Sequence, residues 1–277
     1  MPYLKTTAAP ATDLYFEDSG GSGQAVVLIH GWPLSLRSWE SQANALTAAG
    51  YRVVAYDRRG FGESGKATGG YDYDTFASDL NDVLNELSLN NVVLVGFSMG
   101  GGEVARYIGR YGEGRVAKAV LMSAVTPFLL KTDDNPSGGL GESDVEEMVA
   151  GVTKDRVNFL HDFLQNFYKG GLFAPKASDD VISFAKSLAW RASPLGTQRC
   201  IVAFGTTDFR GDLAKFTVPT LIVHGDSDAI VPIDASGRRA AELVKGSQLE
   251  VIGGAPHGLT ATHADEVNKV LLEFVGG

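Results

Sequence analysis

Short apolar runs alternate along the chain with stretches whose apolar side chains recur every third or fourth position. Val26-Val27-Leu28-Ile29, Val92-Val93-Leu94-Val95 and Leu221-Ile222-Val223 carry no polar alternation, which marks strands buried on both faces of a parallel sheet. The pattern predicts strands over about 14–18, 25–30, 51–56, 91–96, 116–123, 219–224 and 248–252. It predicts helices over about 38–49, 74–88, 99–112, 234–245 and 262–275. Strands and helices in alternation call for an α/β fold, a mainly parallel sheet with helices on both faces. The rhythm breaks from Thr126 to about Asp212, where no strand pattern appears. A loop around 133–139 and helical segments such as 157–167 fill that stretch. Residues 126–212 therefore read as a helical cap inserted over the C-terminal edge of the sheet, and residues 1–125 and 213–277 as the core of one domain.

A chain of 277 residues with 44% apolar content can bury a large core. The net charge of −9 argues against nucleic acid or an anionic membrane surface as partner. One cysteine, Cys200, excludes an internal disulfide, and no His-Glu-x-x-His or cysteine cluster supports a metal site. The N-terminal residues lack a basic-then-apolar signal, and no run reaches membrane-spanning length, so a cytoplasmic location is expected.

The strand at 91–96 runs into Gly96-Phe97-Ser98-Met99-Gly100, and a helical pattern follows at once. A G-x-S-x-G between strand and helix puts the serine on a tight turn whose flanking positions have no room for a Cβ. Gly100-Gly101-Gly102-Glu103-Val104-Ala105 also fits a dinucleotide fingerprint. That reading needs an acid at the end of the next strand, and the run from Val116 ends in Thr126-Pro127 without one. A serine needs a histidine base and an acid to orient it. Of five histidines, His257 follows the strand at 248–252 and precedes the last helix, so it is the expected base. His30 and His224 end strands, where structural hydrogen bonds are expected; His161 and His263 are expected at the surface. The acid is expected after the strand at 219–224, where Asp226 and Asp228 both stand. Asp228 lies farther out on the loop and can turn back toward His257, whereas Asp226 suits turn hydrogen bonding. Because a histidine base must be neutral, activity is expected to fall below the reference histidine pKa of about 6.5.

These motifs, in this order, resemble the α/β-hydrolases, and within them the cofactor-free haloperoxidase/perhydrolase and arylesterase group that includes some γ-lactamases. The resemblance rests on His30-Gly31-Trp32-Pro33, Tyr56-Asp57-Arg58-Arg59-Gly60-Phe61-Gly62-Glu63-Ser64 and Tyr71-Asp72-Tyr73-Asp74-Thr75-Phe76-Ala77. It continues through Gly96 to Glu103, Thr207-Asp208-Phe209-Arg210, His224-Gly225-Asp226-Ser227-Asp228 and Ala255-Pro256-His257-Gly258. Lys131 to Asp144 has no match in it. The resemblance implies an α/β-hydrolase fold and a serine hydrolase that cleaves small carboxylic esters through an acyl-enzyme, without cofactor or metal. It further implies a perhydrolase side activity in which a carboxylic acid and peroxide are co-substrates, and it allows a homo-oligomer. A γ-lactamase or amidase on the same residues, or a hydrolase-shaped binding protein without turnover, are the alternatives.

In this architecture the oxyanion donors are the backbone N–H after the nucleophile, here Met99, and one from the loop after an early strand, here Trp32. Pro33 has no N–H to offer, and it restricts Trp32 to extended angles. Fixed so, the Trp32 carbonyl could accept the extra O–H that peroxide has and water lacks. The resemblance also implies a cis Trp32–Pro33 bond. Substrate-binding residues are expected at Trp32, Pro33, Phe128, Phe163, Phe167 and Ile230. Phe159, Phe163 and Phe167 recur at helical spacing, which equally fits plain packing of the cap; the resemblance puts Phe163 and Phe167 in the acyl pocket.

Overall fold

The apolar runs form the middle of a sheet because each must be covered on both faces. The computed structural model describes residues 2–172 and 174–277. Its strands are β1 (Tyr3–Lys5), β2 (Asp13–Asp18), β3 (Ala25–Ile29), β4 (Arg52–Tyr56), β5 (Val92–Phe97), β6 (Val116–Met122), β7 (Thr220–Gly225) and β8 (Gln248–Ile252). They make one eight-stranded sheet in the order β1-β2-β4-β3-β5-β6-β7-β8. β1 and β2 are antiparallel to their neighbours, and every other pairing is parallel. All residues of β3, β5 and β7 are buried, whereas β8, at the edge, exposes Glu250 and Val251. β1 is the strand that the pattern missed. It has three residues and only Leu4 is buried, too little for a periodicity to show.

The helices are α1 (Glu40–Ala48), α2 (Tyr73–Glu86), α3 (Met99–Tyr111), α4 (Glu142–Phe167), α5 (Asp179–Trp190), α6 (Pro194–Thr206), α7 (Arg210–Leu213), α8 (Gly237–Leu243), α9 (Leu259–Thr262) and α10 (Ala264–Gly276). α1 packs with α10 and α2 with α3, the two groups that cover the buried strands. Helix starts follow local chemistry. Asp72 caps α2 by accepting from the Thr75 N–H (2.9 Å), and Ser193 caps α6, where Pro194 takes the first position. The helix predicted over 234–245 is broken at Ser236, where a 3-10 turn (Ile233–Ala235) gives way to α8. The one predicted over 262–275 is broken at His263. His263 is not a surface residue: it is 6% exposed, and its Nδ1 hydrogen-bonds the Thr262 hydroxyl (2.9 Å). His161 is exposed on α4.

Between β6 and β7 the chain carries α4 to α7 and no further strand of the sheet among the described residues. α4 is kinked at Asp155, whose carboxylate accepts the Asn158 N–H (3.0 Å) and so caps the second half of the helix anew. The kink explains why the sequence suggests a separate helix over 157–167. The unmatched stretch from Lys131 to Asp144 is organised by buried Asn135, whose side chain donates to the carbonyls of Phe128 (3.1 Å) and Leu130 (2.5 Å).

Candidate active site

Ser98 sits at the end of β5 and heads α3 with φ 53° and ψ −117°, a strained conformation for a residue with a side chain. The turn closes so tightly that a Cβ on Gly100 would lie 2.2 Å from the Ile29 carbonyl oxygen, and one on Gly96 2.3 Å from that of Gly100. Glycine is therefore obligatory at both places, and the serine is lifted clear of the strand.

The loops after β7 and β8 meet this turn. The Ser98 hydroxyl donates to His257 Nε2 (2.9 Å), and His257 Nδ1–H donates to Asp228 Oδ2 (2.7 Å). All three side chains are buried. The other oxygen of Asp228 accepts the Ile230 (3.0 Å) and Val231 (2.8 Å) N–H groups. His224 Nε2–H donates to the Val231 carbonyl (2.8 Å) and lies 3.4 Å from Asp228 Oδ2. Burial pushes the Asp228 carboxyl upward, but the imidazoles of His257 and His224 and their hydrogen bonds outweigh it. The group is held well below the usual carboxylate range and stays ionised. Asp226 is exposed and turned away, accepting the Gly254 N–H (2.6 Å) at the base of the His257 loop. The ring of Phe167 stands edge-on to His257 (4.8 Å between centroids) and that of Phe97 tilts against it (5.1 Å), which leaves the imidazole one orientation.

The loop after β3 brings His30, Gly31 and Trp32 beside the serine; a Cβ on Gly31 would meet Ser98 Cβ at 3.0 Å. The Trp32–Pro33 bond is cis. His30 is a structural residue: its Nε2 accepts the Arg58 N–H (3.0 Å) and its Nδ1–H donates to the Gly31 carbonyl (2.9 Å). Burial, with Arg58 beside it, pushes its pKa well below the ordinary histidine value, so the ring is neutral. The Arg58 guanidinium also donates to the His30 carbonyl (2.8 Å) and to Glu103 of α3 (2.8 Å), and Tyr56 completes the cluster on Glu103. This fully buried ion pair links the loop that carries Trp32 to the helix that begins with Met99. As the first residue of α3, Met99 has no helical carbonyl for its N–H.

A cavity of about 220 Å³ opens on Ser98 and His257. Trp32, Phe163 and Ile230 line it. Pro33, Phe128 and Phe167 do not. Phe167 is packed behind the histidine, Phe128 lies under the Arg210 guanidinium, and Pro33 is buried in the loop itself. Leu129, Leu140, Met148, Phe159 and Phe204 are lining residues that the sequence did not reveal. They come from the loop before α4, from α4 and from α6, with no spacing in common. Two of the larger surface depressions, about 590 and 610 Å³, share no lining residue with this cavity. Among the described residues no group of His, Cys, Asp and Glu could hold a metal ion, and no helix is long and apolar enough to cross a membrane.

The family model for the alpha/beta hydrolase fold matches residues 24–264. The chain belongs to this family. Among other family members, it is 43% identical to a non-heme chloroperoxidase of Kitasatospora aureofaciens, over 97% of this chain and 98% of the relative. It is 40% identical to a bifunctional esterase/perhydrolase of Acinetobacter calcoaceticus, again over 97% of this chain and 98% of the other. The crystal structure of a bromoperoxidase from Bacillus anthracis matches with a TM-score of 0.94 at 49% identity, covering 99% of this chain and all of that one. The α/β-hydrolase resemblance read from the motifs is borne out.

Proposed function

We propose that this α/β-hydrolase is a serine esterase for small, neutral, apolar carboxylic esters, with hydrogen peroxide able to replace water as the second nucleophile. One observation carries the reading: a continuous hydrogen-bond line from Ser98 through His257 to an ionised Asp228, opening on an apolar cavity. Ser98 Oγ attacks the ester carbonyl while His257 Nε2 takes its proton, and Asp228 holds the imidazole by its Nδ1–H. The tetrahedral oxyanion is received by the N–H groups of Met99 and Trp32, each worth about 3–4 kcal/mol of barrier in comparable sites. The alcohol leaves with the proton from His257, and an acyl ester remains on Ser98. His257 then deprotonates water, giving the acid, or hydrogen peroxide, giving a peracid. Released peracid would oxidise halide in solution. The relatives named for chloroperoxidase and esterase/perhydrolase activity support both halves of the reading.

Hydrolysis of p-nitrophenyl acetate tests it. Ser98→Ala and His257→Ala are expected to lower kcat/KM by at least about a thousandfold each, and the double variant to lose little more, because the residues act as one unit. Retention of activity in Ser98→Ala overturns the reading. Peracetic acid formed from acetate and peroxide by wild type, and not by Ser98→Ala, checks the second half.

A further inference from the structure

Met148 contributes a thioether side chain to the lining of the cavity that opens on Ser98. Of the methionines in the described residues, Met99 and Met122 are fully buried and line no part of the cavity. Met148, on α4, is partly exposed and shares the same space of about 220 Å³ with Ser98 and His257. Leu129, Leu140 and Phe159, which line the same cavity, offer only carbon and hydrogen. An unbranched thioether with several rotatable bonds can reach into such a space, and it is the most easily oxidised group there.

We propose that Met148 is a modification site, converted to its sulfoxide by the peracid made at Ser98. The proposal rests on the perhydrolase reading. Hydrogen peroxide releases the acyl group from Ser98 as a peracid inside the cavity. The Met148 sulfur lone pair attacks the terminal peroxy oxygen, an S–O bond forms and the O–O bond breaks. The hydroxyl proton passes to the departing carboxylate, so the carboxylic acid leaves. Sulfur is oxidised by two electrons and the peracid reduced by two, with no reagent beyond the peroxide that made it. The peracid is formed in the same cavity of about 220 Å³ that Met148 lines, which gives the sulfur an advantage over groups that meet only diluted product. The sulfoxide places a strong dipole on a predominantly apolar wall, so the cavity loses affinity for apolar acyl groups. Perhydrolysis would thus slow itself while its product accumulates.

The test incubates the full-length protein with acetate and hydrogen peroxide, follows peracetic acid, and maps added oxygen by peptide mass spectrometry. One oxygen is expected on the Met148 peptide, rising with turnover, with Met99 and Met122 unmodified. In the same peroxide Ser98→Ala should leave Met148 reduced, and a methionine sulfoxide reductase should restore the KM for an apolar p-nitrophenyl ester, raised several-fold by oxidation. In Met148→Leu the ratio of late to initial perhydrolysis rate should approach one, while in wild type it falls. If peracid forms and Met148 stays reduced, the proposal fails and the perhydrolase reading stands. Equal oxidation in Ser98→Ala assigns the oxidant to bulk peroxide and overturns the proposal. If no peracid forms, the perhydrolase reading fails and takes the proposal with it.

Discussion

Asp226 and Asp228 stand two positions apart on one loop, yet one faces solvent and the other His257. Asp228→Asn keeps the shape but replaces an ionised acceptor of the imidazole N–H by an amide, and is expected to lower kcat by about a thousandfold or more. Asp226→Asn loses part of one hydrogen bond to the Gly254 N–H. It should cost about 1 kcal/mol of stability and leave most activity. A dead Asp226→Asn with an active Asp228→Asn would reverse the assignment. His30 yields a different expectation, on stability rather than rate. Its folded pKa lies well below the ordinary value because burial and Arg58 exclude the charged form. Below pH about 6.5 the unfolded chain binds a proton at this residue that the folded chain refuses. The stability present above that pH is therefore lost as pH falls. The stability difference between wild type and His30→Gln should change against wild type by about 1.4 kcal/mol per pH unit below that value. Denaturant melts at pH 7.5, 6 and 5 measure it, and a pH-independent difference would contradict a neutral His30. For catalysis, Asp228 stays charged throughout this range, so the acid limb of kcat/KM should have the slope of one proton; a profile flat from pH 5 to 9 would overturn a histidine base.

At the scale of elements, the strand–turn–helix around Ser98 was legible because its glycines leave a mark in the sequence itself. Gly96 and Gly100 stand where a side chain would strike backbone: Gly100→Ala would set a methyl 2.2 Å from the Ile29 carbonyl oxygen. Backbone cannot yield as a side-chain tip does, so this variant is expected to lose about 2–4 kcal/mol, several degrees in Tm, and most activity through displacement of Ser98. An unchanged Tm would mean that the turn has slack. The Arg58–Glu103 pair, by contrast, was illegible, although both residues lie in quoted motifs. Nothing in two separated motifs says that their side chains meet under the loop that bears Trp32. The breaks at Ser236 and His263 also escaped notice, because apolar periodicity continues across them and no side-chain cap marks them. The edge strand β1 is too short to have any periodicity.

Across the whole molecule, four loops at the C-terminal ends of β3, β5, β7 and β8 assemble the reacting groups, while the chain between β6 and β7 supplies much of the cavity wall. The first set was readable from local motifs. The second was not, since Leu129, Leu140, Met148, Phe159 and Phe204 meet only through tertiary packing. Among the described residues that line the cavity, none carries a charged side chain. A p-nitrophenyl butyrate should therefore be hydrolysed with a kcat/KM at least about tenfold above that of the p-nitrophenyl monoester of succinic acid, whose carboxylate would be buried without a partner. Comparable values would show that the acyl group lies outside this cavity.

The contact of Phe167 with His257 has an evolutionary side. The chain between β6 and β7 is one continuous segment, so two crossovers suffice to exchange it between relatives, and the part of the cavity wall that it supplies would go with it. Its middle is not neutral, however. The Phe167 ring fixes the imidazole, its carbonyl accepts the Gly258 N–H (2.8 Å), and Gly171 donates to Gly254 (2.9 Å). A crossover placed before Phe167 would inherit specificity alone, whereas one placed after Gly171 would also inherit a foreign support for the base.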